Sequence, residues 1–140
     1  MKVLYILLLS SLFSASFMQA QESITESTQV YVDAYVKSEF VKVASLTHPD
    51  LVKMNGGEQF VIDDLKAERL SSSAEGLVYN SAEVNQPLKI LQHNDELQAI
   101  VPVEFTMQLE DKEYINKTYI LAVSSDEGKT YKYVNLMQFD

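Results

Sequence analysis

Residues 97–109, LQAIVPVEFTMQL, decide the fold of this chain. All the odd positions from Leu97 to Leu109 are apolar, whereas the even positions include glutamine, glutamate and threonine. Successive side chains of a strand point to opposite faces of a sheet, so this alternation predicts a long, half-buried antiparallel strand. Pro102 has no amide hydrogen to donate, and we therefore expect an edge or a bulge at that position.

Further strands are predicted on both sides of this segment. The candidates are 77–84, 88–92, 114–124 and 130–139, and turn-forming residues at 93–95, 110–112 and 126–128 separate them. Upstream of residue 77 the apolar residues recur with a helical period instead. The order of helices first and antiparallel strands afterwards predicts an α+β fold.

The helical part divides at its turn signals. Ser23 and Glu26 have the spacing of a capping box, which predicts a helix from Ser23 to about residue 46 with a break near residue 38. Pro49 closes that segment, and residues 51–54 are expected to form a short strand or a turn. The turn at 55–58 should start another helix, with Asn55 as its cap, that ends around residue 74.

The first twenty residues, MKVLYILLLSSLFSASFMQA, have the pattern of an export signal. Lys2 provides the positive start, residues 3–9 the apolar run and Ala20 a small residue for cleavage. We therefore expect a signal peptide over 1–20, a single domain over 21–140 and a secreted or periplasmic protein. The chain has no cysteine, so it has neither a lipid attachment site near the signal nor a disulfide framework.

Charge narrows the range of partners. The chain has 11 basic and 20 acidic residues, a formal net charge of −9. Such a surface repels phosphate backbones and anionic lipid headgroups, so we expect no nucleic-acid partner and no membrane partner after signal cleavage. The two histidines, His48 and His93, lie far apart, and the chain has no P-loop or dinucleotide fingerprint. We expect no metal, no cofactor and no recognisable catalytic motif.

Residues 124–131, SSDEGKTY, match the pattern called an Asp-box. In that pattern the aspartate accepts hydrogen bonds from loop amides, the glycine takes a positive φ angle and the aromatic ring packs beneath the hairpin. One copy cannot build a propeller, which needs several blades. The pattern therefore predicts a structural hairpin turn.

Three local segments resemble small exported bacterial members of the nuclear transport factor 2-like superfamily, which includes ketosteroid isomerase and scytalone dehydratase. They are residues 31–35, YVDAY, residues 46–52, LTHPDLV, and residues 55–57, NGG. The resemblance implies a strongly curved, cone-shaped antiparallel sheet wrapped around the helices. It also implies that the first helix lines a pocket.

The pocket expected from this resemblance has a small set of candidate residues. Tyr31 and Tyr35 are one helical turn apart and share a face. The inner sheet face opposite them is expected to present Val103, Phe105 and Met107, and His48 is placed at the pocket mouth.

Three functions are consistent with these residues. The first is non-catalytic binding of a small apolar ligand or of a protein partner. The second is a small lyase or isomerase in which His48 is the base and a tyrosine donates to the oxyanion. The third is a structural module that forms a homodimer through the outer face of the sheet.

Overall fold

The structure, a computed structural model, describes the backbone of residues 2–136 and the side chains of residues 18–136. Four helices come first: α1 (Lys2–Val36), α2 (Phe40–Leu46), α3 (Pro49–Met54) and α4 (Glu58–Ala74). Five strands follow: β1 (Leu77–Val84), β2 (Lys89–His93), β3 (Glu96–Leu109), β4 (Lys112–Ser124) and β5 (Lys132–Asn135). All neighbouring strands are antiparallel, so the predicted α+β fold is confirmed. Residues 137–139 of the last predicted strand lie outside the described residues.

Strand β3 is the centre of the sheet. It pairs along its whole length with β4, and β5 lies beyond β4. On its other side β1 pairs with residues 103–109 and β2 with residues 96–100. The odd positions of β3 from Leu97 to Phe105 are buried, as the alternation predicts.

Pro102 lies in the interval between β1 and β2. Its carbonyl accepts a hydrogen bond from the Asn85 amide at 3.0 Å. The amide and carbonyl groups of one residue in an antiparallel strand face the same neighbour, so the Pro102 nitrogen faces this interval, where the ladder needs no donor. The expected edge or bulge at Pro102 is therefore wrong: β3 is central and its pairing with β4 is unshifted. The bulge lies in β1, between Tyr79 and Ser81.

The helices differ from the sequence prediction at two boundaries, the start of α1 and the cap of α4. Helix α1 passes through Ser23 without a start there, because no glycine or proline interrupts residues 2–36. The predicted break is confirmed, since α1 ends at Val36, Ser38 has a φ of 60° and α2 begins at Phe40. Asn55 ends α3 instead of capping α4, and Gly57 takes the cap position of α4.

The prediction of a strand or turn at 51–54 is wrong, because these residues belong to α3. Pro49 restricts only the residue before it, His48, and is itself well suited to the first helical position. The short strand expected before α4 is reduced to a single parallel bridge between Thr47 and Tyr133.

The helical half pairs backbone groups of two edge strands, β1 and β5. Gln29 of α1 donates from Nε2 to the Ala82 carbonyl at 2.9 Å and accepts from the Val84 amide at 3.1 Å. At the other edge the His48 amide donates to the Tyr133 carbonyl at 2.9 Å. These contacts pair backbone groups that an edge strand otherwise offers to other chains.

The hydrophobic core lies between the helices and the inner face of the sheet. Its fully buried members include Ile24, Val32, Val43, Val103 and Ile120, which come from α1, α2, β3 and β4. Among the described residues, no helix combines the length and the apolar character needed to cross a membrane.

Candidate functional site

A cavity of about 230 Å³ lies between α1, α4 and the sheet. Its lining residues come from all four helices, the turn before α4 and three strands: Tyr31, Val32, Tyr35, Val43, Thr47, Leu51, Asn55, Phe60, Val61, Asp64, Leu65, Glu68, Phe105, Ile120 and Asn135. The volume is somewhat below the roughly 300–1,000 Å³ of common ligand pockets, which indicates room for a small molecule.

The floor of the cavity is apolar. Val32 of α1, Val43 of α2 and Ile120 of β4 are almost completely buried there. Phe105 of β3 closes one side, and its ring meets the Tyr35 ring edge to face, with 5.7 Å between the ring centroids. This part of the cavity offers dispersion contacts and no hydrogen-bonding side chain.

Tyr31 presents a hydroxyl in the inner part of the cavity. Burial raises the pKa of Tyr31 to about 12, and a hydrogen bond with the Thr47 hydroxyl opposes part of that rise. The Thr47 hydroxyl in turn donates to the Val43 carbonyl at 2.9 Å. The ring of Tyr31 stacks on that of Tyr133, with 4.6 Å between centroids. Tyr31 is therefore held neutral and fixed in position.

Tyr35 presents a second hydroxyl, nearer the mouth. It donates to Glu68 Oε1 at 3.0 Å. Burial first, and then the negative charge of Glu68, raise the pKa of Tyr35. Tyr35 is thus a neutral hydrogen-bond donor that orients a carboxylate of α4.

Arg69 fixes the end of α1 that carries Tyr35. Its guanidinium donates to the Tyr35 carbonyl at 2.8 Å and to the Val36 carbonyl at 3.1 Å, both in the last turn of α1. The Tyr35 carbonyl also accepts from the Ser38 amide at 3.1 Å. The same group lies over the rings of Tyr79, at 4.3 Å from the centroid, and of Tyr35, at 5.0 Å. Its charge is therefore committed to α1 and to these rings.

The mouth is bordered by one row of α4. Phe60, Asp64 and Glu68 are spaced four residues apart and all line the cavity. All three are exposed, and Phe60 is 58% exposed. No ion pair joins Asp64 or Glu68 to a basic side chain within the described part of the chain. The mouth therefore combines an aromatic face with two carboxylates that lack a cation.

His48 lies elsewhere. It borders a separate surface depression with Asp126, Thr130 and Lys132 and does not line the cavity. Its Nδ1 accepts a hydrogen bond from the Asp50 amide at 3.3 Å, which makes it the N-cap of α3. The expectation that His48 stands at the mouth of the tyrosine pocket does not match this placement, because the parallel bridge at Thr47 directs the chain onto the outer edge of β5.

The other expected residues divide between the cavity and the core. Tyr31, Tyr35 and Phe105 meet in the cavity. Val103 is fully buried in the core and Met107 packs against the core partly buried, but neither lines the cavity.

Sequence reasoning missed the α4 row and Thr47. The available signal was the four-residue spacing of Phe60, Asp64 and Glu68. This row lies on α4 directly beside the apolar row of Val61 and Leu65. No group of three or more histidine, cysteine, aspartate or glutamate side chains is arranged to hold a metal among the residues that the structure describes.

The turn at 124–131 is closed on itself. Asp126 accepts from the Ser124 hydroxyl at 2.7 Å, from the Thr130 amide at 2.9 Å and from the Thr130 hydroxyl at 2.7 Å. The Ser124 hydroxyl accepts from the Gly128 amide at 2.8 Å, and Gly128 has a φ of 86°. The hydrogen bonds that Asp126 accepts lower its pKa to about 2, and the bond from the Thr130 amide has the largest effect. The predicted hairpin turn is confirmed by its geometry.

A solved structure of a protein from Catenulispora acidiphila is similar to this chain in three dimensions. The two sequences are 10% identical, and the matched region covers 90% of this chain and 96% of that chain with a TM-score of 0.57. The likeness concerns the fold alone. No family model and no curated protein sequence matches the chain.

Proposed function

We propose that this protein is a non-catalytic binder of a small, largely apolar ligand, and that the ligand occupies the cavity between α1, α4 and the sheet. The observation that carries the proposal is the combination of an apolar floor, made by Val32, Val43 and Ile120, with two tyrosine hydroxyls that are already hydrogen-bonded. Binding sites of small molecules are typically concave and apolar with a few fixed polar groups.

Glu68, the carboxylate to which Tyr35 donates, is exposed at the mouth and not deep in the cavity, which favours binding over catalysis. A lyase or isomerase needs a titratable group within hydrogen-bond reach of the substrate proton. In the described residues His48 borders another depression. Burial raises the pKa of Tyr31 to about 12, so its hydroxyl is protonated at neutral pH and is not a base. An enzyme of the ketosteroid isomerase type would have to use a different base, such as Glu68 at the mouth.

Membership of the nuclear transport factor 2-like superfamily and export belong to the same proposal. The order of helices before an antiparallel sheet, and a cavity lined by the first helix, support the family assignment. Burial supports the cleavage site: Met18 is exposed, and Ile24 is the first fully buried side chain among those described. Removal of residues 1–20 therefore leaves the described core contacts of α1 in place. Mass spectrometry of the native protein tests this, since an intact Met1 terminus would contradict it.

A titration with 1-hexanol, followed by amide chemical shifts, tests the binding proposal. We expect shifts at cavity residues and about tenfold weaker binding in Val61→Phe, which fills the cavity from α4. The matched control is Val78→Phe, because Val78 is 54% exposed on the sheet. The absence of shifts in the cavity at saturating hexanol, in a protein that melts as a folded domain, would contradict the proposal.

A second candidate function, homodimer formation through the outer sheet face, is favoured by an exposed apolar patch. Leu91, Ile100 and Tyr119 are 53%, 37% and 50% exposed, and the pairing of the strands places them on one face. Beside them Lys117 and Glu104 form an ion pair at 2.8 Å. In two copies related by a two-fold axis, Lys117 of each copy can pair with Glu104 of the other, so the face is complementary to itself.

Light scattering coupled to gel filtration tests this second candidate. We expect a dimer whose dissociation constant rises at least tenfold in Tyr119→Lys. Met54→Lys is the matched control, since Met54 is 80% exposed on α3. A monomer at all concentrations would remove this candidate and leave the binding proposal intact.

A further inference from the structure

We infer that the ligand of the cavity carries a positively charged amine at one end of a short apolar body. The inference rests on the proposed binding function and adds the chemical class of the ligand. It assigns the amine to the mouth, beside Asp64 and Glu68, and the apolar body to the floor.

The first argument for an amine is the negative charge of α4 at the mouth. Asp64 and Glu68 are one turn apart on the same face, and like charges at this spacing destabilise a helix by roughly 0.2–0.5 kcal/mol. The basic residues of α4 relieve little of this repulsion, because Lys66 lines a different depression and Arg69 donates to the end of α1. A cation that enters the mouth supplies the missing charge.

The orientation of Glu68 carries the second step. The Tyr35 hydroxyl donates to Glu68 Oε1 at 3.0 Å, and Tyr35 is itself anchored through Arg69. Glu68 is thus held at the cavity wall although it is exposed. Among the described residues, no hydrogen bond or ion pair to its second oxygen or to the Asp64 carboxylate has to be displaced when an ammonium group binds.

The aromatic face of Phe60 carries the third step. Phe60 continues the row of Asp64 and Glu68 at the same spacing, and 58% of its surface is exposed at the mouth. An ammonium group gains from an aromatic face within about 6 Å as well as from carboxylates. A carboxylate ligand would instead be repelled at this entrance, and a neutral ligand would gain only from the floor.

Three probes of equal length test the inference: 1-hexylamine, 1-hexanol and hexanoate at pH 7. We expect hexylamine to bind at least about tenfold more tightly than hexanol, the effect of one hydrogen bond to a charged group, and hexanoate to bind most weakly. In Asp64→Asn/Glu68→Gln the affinity for hexylamine should fall to that for hexanol.

The matched control is Asp63→Asn/Glu75→Gln. It removes the same charge from α4 and its cap, but neither residue lines the cavity. We expect the preference to remain in this control. Loss of the preference in the control as well would show general attraction to an acidic protein and overturn the inference.

The failures of the two proposals are distinguishable. Equal affinity for hexylamine and hexanol overturns the amine inference and leaves the binding function standing. If none of the three probes binds, the binding function itself fails. Should the double variant not fold, Asp64→Asn alone, whose side chain is exposed, provides the same comparison.

Discussion

The turn at 124–131 and the mouth of the cavity use the same kinds of polar residue in opposite ways. In the turn, the carboxylate of Asp126 receives bonds from Ser124 and Thr130, all within a few residues of chain. At the mouth, the carboxylate of Glu68 receives one bond from Tyr35, 33 residues away, and Asp64 faces the opening.

The difference separates a structural motif from a binding site. A set of polar groups that satisfies itself leaves nothing to offer a ligand, however well it matches a known pattern. A set that is held in place but left open can exchange water for a ligand. The Asp-box pattern was therefore conspicuous in the sequence and structural in role, whereas the α4 row was inconspicuous and lies at the cavity.

The largest expected effect concerns the wall shared by the cavity and the core. Phe105 is 5% exposed and packs against Tyr35 and Tyr79. Phe105→Ala should reduce the free energy of unfolding by roughly 3–5 kcal/mol, the range for large core truncations. Urea unfolding measures this, with Ile115→Ala as control, because Ile115 is 58% exposed. A loss below about 1 kcal/mol would mean that the faces of β3 are reversed.

The next largest effect is expected from a substitution in the turn at 124–131, which does not line the cavity. The pKa of Asp126 is lowered from 3.8 to about 2, so its ionised form is favoured in the folded state. The resulting stabilisation is present above pH 4 and is lost as the pH falls towards 2. Asp126→Asn should reduce the free energy of unfolding at pH 6 and remove part of its decline between pH 4 and pH 2.

Asp111→Asn, in the turn between β3 and β4, is the control for that experiment. It should leave both the stability at pH 6 and the acid decline close to those of the unaltered protein. Hexanol binding should be the same in all three proteins. A change in hexanol affinity in Asp126→Asn would show that turn and cavity are coupled, against the separation drawn above.

A smaller effect distinguishes the inner part of the cavity from the mouth. Tyr31→Phe removes the buried hydrogen bond between Tyr31 and Thr47, while Thr47 keeps its bond to the Val43 carbonyl. It should cost about 1 kcal/mol, whereas Tyr35→Phe near the solvent should cost less. The pKa of Tyr31 is raised from 10.0 to about 12, so the stabilisation present below pH 10 is lost as the pH rises towards 12. Tyr31→Phe should therefore reduce the alkaline loss of stability.

Tyr119→Phe is the matched control, since Tyr119 is exposed on the outer sheet face. Urea unfolding at pH 9 and pH 11.5 gives the comparison. An equal alkaline loss in Tyr31→Phe and in the unaltered protein would contradict the role assigned to Tyr31.

The smallest effect concerns His48, which caps α3 through a bond of 3.3 Å. His48→Ala should cost about 0.5 kcal/mol, the lower end for lost caps, and His48→Asn should recover it because asparagine also caps. Hexanol and hexylamine affinities should be unchanged in both. A turnover of enolisable or hydratable small molecules that His48→Asn abolishes in a folded protein would favour the enzyme instead.

The fold was predictable from the sequence where the signals were local. The alternation of 97–109, the turns between the strands and the hairpin turn at 124–131 all depend on neighbours in the chain. The wrong predictions concern residues whose local sequence is compatible with two structures. Pro49 was read as a helix stop although it also starts a helix, and Pro102 as an edge although an interval between two partner strands suits it equally.

The candidate site was predictable only in part. Tyr31, Tyr35 and Phe105 line one cavity, because helix and strand periodicities assign them to facing surfaces. The position of His48 depends on a bridge between Thr47 and Tyr133, which lie 86 residues apart, and no local pattern encodes it.

By itself the sequence determined the α+β class, the long half-buried strand at 97–109 and the self-contained turn, because hydrophobic periodicity and short-range hydrogen bonds act over a few residues. Only the tertiary structure decided which polar groups stay open at the cavity. That outcome depends on how α4 packs against α1: Arg69 is drawn to the end of α1, Tyr35 meets Glu68, and Asp64 is left facing the mouth. Such contacts form between segments more than 30 residues apart, where packing and not local propensity selects the partner.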